Sequence, residues 1–285
     1  MINLAVRNLK IFFRDKSSVF FSFLSVIIII GLYVLFLGDV ITSDMDGLPG
    51  VRFLMDSWIA SGLMAVTSIT STMGAFGIMV EDRARKNNRD FLTAPLKRST
   101  IAGGYVVSTY LIGVIISLVT LVLIELYIVA YGGSLLPFTS LLKVVGLILL
   151  SVLSSSAMVF FITSFFKSMN AFSTASTILG TLIGFLTGIY IPIGVLPESI
   201  GWVIKLFPVS HAALLFRHVF MAEPMSATFA NVPESVVAAF NTEMGMVFQY
   251  GEYTATPLVH LIVLIAVAIV FFLLSVWSIS RKRKG

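Results

Sequence analysis

Three histidines and one carboxylate are the side chains of this sequence whose type and spacing could support chemistry. His211 and His218 lie seven residues apart and share a face if their segment is helical, while His260 stands alone. Two imidazoles without a nearby third ligand do not make a tetrahedral metal site. Hydrogen bonding at an interface is therefore their expected role. Glu125 interrupts an apolar run. A carboxylate there handles a substrate or proton, meets an interfacial partner, or reaches back to water, and the sequence leaves these open. The chain has no cysteine, so disulfides, thiolate ligands and a cysteine nucleophile are excluded. The phosphate-loop pattern G-x-x-x-x-G-K-[ST] and the patterns G-x-G-x-x-G, H-E-x-x-H and G-x-S-x-G are missing. Nothing argues for catalysis within this chain. It is expected not to be an enzyme and to hold no metal or cofactor of its own.

The elements that must position these residues follow from composition. Of 285 residues, 58% are apolar and only 12% charged. Mean hydropathy is +1.01. Soluble domains carry about 25% charged residues, and a shell this sparse cannot cover so much apolar surface. The sequence therefore predicts an all-α integral membrane protein. A crossing helix needs about 20 mostly apolar residues, and six stretches qualify: 19–38, 57–80, 101–131, 141–165, 171–191 and 257–279. In hydrocarbon the backbone must satisfy its own hydrogen bonds, so runs of this length are helices.

Lys and Arg set the orientation. With the N-terminus in the cytoplasm, one side collects Arg7, Lys10, Arg14 and Lys16, then Arg83, Arg85, Lys86, Arg89, Lys97 and Arg98, then Lys167, and finally the tail Arg281, Lys282, Arg283 and Lys284. The other side holds Arg52, Lys143, Lys205 and Arg217. Both termini are expected to be cytoplasmic.

Three segments do not cross. Residues 2–16 form a basic amphipathic helix, with Asn3, Arg7, Lys10 and Arg14 in one sector and Ile2, Val6, Leu9, Phe12 and Phe13 roughly opposite. Such a helix lies in the headgroup layer with its cations toward anionic lipid. Residues 81–100 open with Glu81 and Asp82, continue with Arg85 and Arg89, carry the apolar pair Phe91 and Leu92, and stop at Pro95. A solvated loop has no need of that pair, but a helix docking into a partner's groove does. Residues 192–256 are apolar at first, but Pro192, Pro197 and Pro208 cut them into pieces too short to cross. Pro197 followed by Glu198 reads as a helix start. A re-entrant helical hairpin on the outer side is expected, followed by an acidic external cap with one helical piece near Pro233 to Val247.

Two spans carry stripes of small residues. Span two has Ser57, Ser61, Met64, Ser68, Ser71 and Ala75, flanked by Thr67 and Thr72, and span five has Gly180, Gly184 and Gly188. Both stripes read as tight helix packing or as the partly polar wall of a pathway.

Taken together, the cytoplasmic amphipathic helix, six spans, a polar helix after span two and a broken hairpin after span five resemble the ABC type-2 (ABC-2) transporter permease family. Two motifs carry the resemblance. Glu81 with Phe91-Leu92-Thr93-Ala94-Pro95-Leu96-Lys97-Arg98 is similar to the family's segment after span two, with a departure at Asn87-Asn88. Gly194-Val195-Leu196-Pro197, Leu206-Phe207-Pro208-Val209-Ser210-His211 and Arg217 are similar to its segment after span five.

The resemblance implies the membrane subunit of a bacterial exporter in the plasma membrane. It would pair with a second permease copy and bind a cytoplasmic ABC ATPase dimer that holds ATP and Mg. Glu81, Asp82, Arg85, Arg89, Phe91, Leu92 and Pro95 would belong to the coupling segment. Ser61, Ser68, Ser71, Thr72, Gly180, Gly184 and Gly188 would line or pack the pathway. Pro192, Pro197, Glu198, Pro208 and His211 would form the outer gate. Substrates would be hydrophobic or amphipathic drugs, lipids or peptides, and nucleic acid is not an expected partner. A secondary transporter or channel, an intramembrane enzyme, and a non-transporting interaction or immunity protein are the rival readings.

Overall fold

A computed structural model of the chain describes residues 1–37, 48–86 and 98–281. It starts with helix α1, Ile2–Arg14, and helix α2, Lys16–Leu32, which continues through a π-turn at Tyr33–Leu37. Asp15 is the elbow between α1 and α2. Its extended backbone ends α1, and its carboxylate accepts from the N–H groups of Ser17 and Ser18 and from the Ser18 hydroxyl at 3.0, 3.3 and 2.6 Å. One residue thus satisfies the free amides of α2's first turn. The Ser18 bonds hold the Asp15 carboxyl below the usual carboxylate range.

The membrane helices that follow are α3 (Val51–Ala84), α4 (Arg98–Ala130), α5 (Phe138–Thr163) and α6 (Met169–Leu186). A 3₁₀ turn at Ile193–Val195 leads to α7 (Glu198–Leu206) and α8 (Pro208–Phe220). Two short helices, α9 (Ala222–Thr228) and α10 (Glu234–Glu243), precede a two-stranded hairpin, β1 (Gln249–Tyr250) and β2 (Tyr253–Thr254). Gln249 pairs with Thr254 and Tyr250 with Tyr253. Helix α11, Pro257–Arg281, closes the chain. Among the described residues six helices are long and apolar enough to cross a membrane: α2 to α6 and α11. The fold is an all-α membrane architecture.

Helix α3 is the centre. In its most apolar window 78% of the residues are buried, against 18% for α2 and 22% each for α6 and α11. It touches α2, α4, α5, α6, α8 and α9. At Val51–Ala84 it is also longer at both ends than the expected 57–80. The reason is that its polar ends are paired. At one end Asp82 accepts two bonds from the Arg7 guanidinium, at 2.7 and 2.9 Å, and one from the Tyr105 hydroxyl at 2.6 Å. At the other end Asp56 accepts from Tyr127 at 2.9 Å and from Arg52 at 3.2 Å. The Arg52 guanidinium lies over the rings of Tyr33 and Tyr131. Each end of the antiparallel α3–α4 pair thus carries an Asp of α3, a Tyr of α4 and an Arg. A carboxylate bonded this way stays in a helix where an unpaired one would force the chain to water.

Helix α1 meets this pair on the side of Ala5, Asn8 and Phe12, which are buried, and the Asn8 amide donates to Ser108 at 3.1 Å. Ile2, Val6 and Phe13 remain exposed on the neighbouring face, and Asn3, Lys10 and Arg14 on the polar one. Arg7 therefore departs from the expected row of outward cations, because Asp82 draws it inward.

The two arms of the hairpin are buried to different extents. Helices α7 and α8 meet at an angle of 91° at Phe207. Only Ile204 of α7 is buried, whereas nearly all of α8 is buried against α3, α5 and α11. The second arm is a core element. The cap holds two short helices and a strand pair rather than one helical piece. Gly194 seats the 3₁₀ turn on that cap: a Cβ there would stand 2.4 Å from the Glu243 Cα and 2.5 Å from the Thr242 carbonyl oxygen. Backbone cannot step aside as a side chain does. Gly194→Ala should therefore destabilise the protein by about 1–3 kcal/mol. Gly201→Ala, in α7 with open space around it, should stabilise it by about 0.5–1 kcal/mol. Thermal unfolding of the two variants in detergent, shifting in opposite directions, checks this pair.

Candidate functional site

Proline and glycine shape the end that holds α7 to α10. Pro197 precedes α7, whose first turn holds Glu198, and Pro208 opens α8 at a position where its missing N–H is not needed. Pro192 introduces the 3₁₀ turn. Two glycines end helices with the same geometry. After α6, Gly188 (φ 73°) donates to the Phe185 carbonyl at 3.1 Å and Ile189 to that of Gly184 at 3.0 Å. After α10, Gly245 (φ 66°) donates to Thr242 at 3.3 Å and Met246 to Asn241 at 2.8 Å. This double bond requires a left-handed residue, which glycine supplies without steric cost.

Both turns point carbonyls at one side chain. Arg217, on α8, is completely buried. Its Nη2 donates to the Thr187 carbonyl at 2.6 Å and its Nη1 to that of Gly245 at 3.1 Å. The guanidinium lies over the Trp58 ring at 5.2 Å, and Trp58 Nε1 donates to the Met244 carbonyl at 2.9 Å. Among the described residues no carboxylate stands within ion-pair distance. The charge is met instead by the negative C-terminal ends of α6 and α10 and by the face of an indole. Arg217 therefore joins α8, α6, α10 and α3 at one point. It stood in the second sequence motif without an assigned role. Nothing in the sequence foretold that two helix ends would converge on it.

The stripe on α3 is turned inward. Ser61, Ser68, Ser71 and Thr72 are buried, and their hydroxyls donate to carbonyls of their own helix, at Trp58, Met64, Thr67 and Ile69. A Cβ on Gly113 of α4 would crowd Val152 of α5 at 2.7 Å and Thr72 at 3.0 Å, and would touch Ser71 at 3.5 Å. The glycines of α6 have three separate placements. Gly188 forms the turn. Gly184 is covered by the Tyr190 ring, at 2.2 Å from where a Cβ would stand, and Gly180 faces open space.

That open space is a groove of about 390 Å³ between α3 and α6. Its walls include Ile69, Thr70, Met73 and Gly74 from α3, with Phe172, Ser176, Thr177 and Gly180 from α6. Among the described residues no charged side chain lines it. Thr70, Ser176 and Thr177 donate to backbone carbonyls of their own helices. The groove is thus uncharged, and it borders the face of α3 next to the buried stripe.

At the opposite end, Glu81 and Arg85 form an exposed ion pair at 2.7 Å. Asp82, expected to face a partner, is instead turned into the protein by Arg7 and Tyr105. Arg83 donates to the Thr163 carbonyl at 3.3 Å, tying the base of α3 to the end of α5. Arg89, Phe91, Leu92 and Pro95 lie outside the described residues. The Glu125 carboxylate accepts from the Leu136 N–H at 2.9 Å and so closes the turn between α4 and α5. His211 meets His260 rather than His218, with the two Nδ1 atoms 2.7 Å apart. Among the described residues no three of His, Cys, Asp and Glu are grouped to hold a metal ion.

Among the described residues, six helices long and apolar enough to cross a membrane, packed around a buried α3, define a multi-pass membrane protein. Residues 49–277 match the model of a family described as ABC-2 family transporter protein. The chain belongs to that family, whose members are the membrane components of ABC transport systems and associate with an ABC ATPase. The match begins just before α3 and ends within α11. No curated protein matches the chain.

The Arg217 node gives a sharp test. Lys carries the same charge but cannot reach two carbonyls with a planar fork while lying flat on an indole. Arg217→Lys should therefore lower the midpoint of thermal unfolding by several degrees, corresponding to a loss of about 1–3 kcal/mol. A midpoint unchanged in Arg217→Lys would mean that charge alone holds the node.

Proposed function

We propose that this chain is the permease subunit of a bacterial ABC exporter in the plasma membrane. It works as a dimer with a second permease copy, each bound to a cytoplasmic ATPase subunit that holds ATP and Mg. Both termini face the cytoplasm, and residues 81–92 seat in the ATPase. The substrate is a hydrophobic or amphipathic drug, lipid or peptide.

The observation that carries this reading is the continuity of α3. One unbroken helix runs from Arg52, past Trp58 at the outer node and Ile69, Thr70, Met73 and Gly74 at the groove, to Glu81 at the start of the coupling segment. An α-helix transmits axial displacement because each turn is bonded to the next. A push on the coupling segment therefore moves one wall of the groove. Helix α6, the other wall, is largely exposed and contacts the rest of the chain chiefly through α3. The two walls are free to separate. The pairing Arg7–Asp82–Tyr105 makes α1 and α4 follow the same push. For nucleotide to drive transport, ATP must favour one arrangement of these walls over the other.

Two substitutions test separate parts of the reading. Phe91→Asp or Leu92→Asp should abolish co-purification with the ATPase subunit expressed alongside it. Normal binding by both variants would refute the docking assignment. Gly180→Trp should fill the groove and cut ATP-dependent transport at least tenfold while leaving ATPase binding intact. Undiminished transport would remove the groove from the pathway.

A further inference from the structure

His211 and His260 join the hairpin to the last membrane helix. His211, on α8, is 2% exposed and His260, on α11, is fully buried. Their Nδ1 atoms stand 2.7 Å apart, and His211 Nε2 lies 2.9 Å from the Lys205 carbonyl oxygen. Donor counting assigns the protons. A carbonyl only accepts, so His211 Nε2 carries a hydrogen. In a neutral ring His211 Nδ1 is then bare and accepts, so His260 Nδ1 carries the hydrogen between them. That leaves His260 Nε2 as a bare lone pair, and it is buried with no hydrogen-bond partner among the described residues.

The surroundings do not favour a charge there. Phe248 stands edge-on to both rings. The charged and titratable groups of the elements around the pair are His218 and Arg217 on α8, Glu198 and Lys205 on α7, Lys143 on α5, Tyr250 on β1, Tyr253 on β2, and Arg52, Asp56, Glu81, Asp82 and Arg83 at the two ends of α3. Arg217 is bonded to carbonyls, and Lys205 donates to the Gln249 carbonyl and lies over the Trp202 and Tyr250 rings. Among the described residues neither imidazole has a carboxylate within ion-pair distance.

We propose that the His211–His260 pair is a proton-binding site that fastens the hairpin to α11 while both rings are neutral and releases it on acidification. The one open position for a proton is His260 Nε2. A proton there leaves the bond between the rings intact but creates a buried N–H without an acceptor and a cation without a counter-ion. Both are relieved only when the ring reaches water. Opening at this joint takes Lys205 and α7 along, because the Lys205 carbonyl is bonded to the same His211. The inference concerns this joint alone and stands apart from the ATPase reading. With both termini cytoplasmic as proposed above, the joint responds to the pH outside the cell.

The absence of cysteine permits a direct test on the full chain. Val203 of α7 and Ile262 of α11 are both exposed. Val203→Cys and Ile262→Cys are combined, spin-labelled and reconstituted in lipid nanodiscs. Electron paramagnetic resonance then reads the distance between labels at about pH 8 and about pH 5, either side of the imidazole range. The expected result is one narrow distance at the higher pH and a shift of several ångströms to a broader one in acid. In the His260→Gln background, and separately in His211→Gln, the distance should no longer depend on pH. An acid shift missing from the parent, or persisting undiminished in both Gln backgrounds, would overturn the proposal.

Discussion

A carboxylate in an apolar interior must be given donors or it drags its segment to water, and α3 carries one near each end. Asp56 and Asp82 are both buried, and each is met by a tyrosine hydroxyl from α4 and a guanidinium. These contacts let α3 remain helical through the polar residues that flank its apolar stretch. They also lock α3 to α4 at both ends. The rest is arranged around that locked pair. Helix α1 is held by Arg7, α5 by the reach of Arg83 to Thr163, and α8 by Arg217 over Trp58.

Arg7 and Arg217 are held by different chemistry. Near Asp82 the partner of Arg7 is a carboxylate, so charge neutralises charge. At Arg217 the partners are carbonyls at the ends of α6 and α10. That solution needs no acid in the apolar region, but it demands that two helices stop at the same place. Two glycines in left-handed conformation make both stops. The node therefore depends on residues far apart in sequence, and each contributes only a backbone oxygen or a bend.

The groove and the stripes show how the same residue types divide. Serines and threonines on α3 are spent on their own helix and packed inward, so they allow close approach to Gly113 and its neighbours. Hydroxyls of the same kind on α6 face the open groove, again bonded to their own carbonyls. A hydroxyl satisfied by its own helix is tolerated in either place, which is why residue type could not separate a packing face from a pathway wall.

The membrane class, the number of spans and the breaks at Pro192, Pro197 and Pro208 were legible from residue order, because helix length, apolar runs and proline act locally. So were the Pro-led starts of α7 and α8. The two motifs and the order of the segments also pointed to the family. Four features came only from the tertiary structure. Asp82 faces inward, Arg7 leaves the lipid-facing row, Arg217 sits where two helix ends meet, and His211 pairs with His260 rather than His218. Each turns on which distant group supplies a donor or an acceptor. Periodicity says where a side chain stands on its own helix. It does not say which other helix lies across from it, and in an apolar interior that neighbour decides whether a polar group is a latch, a gate or a filler.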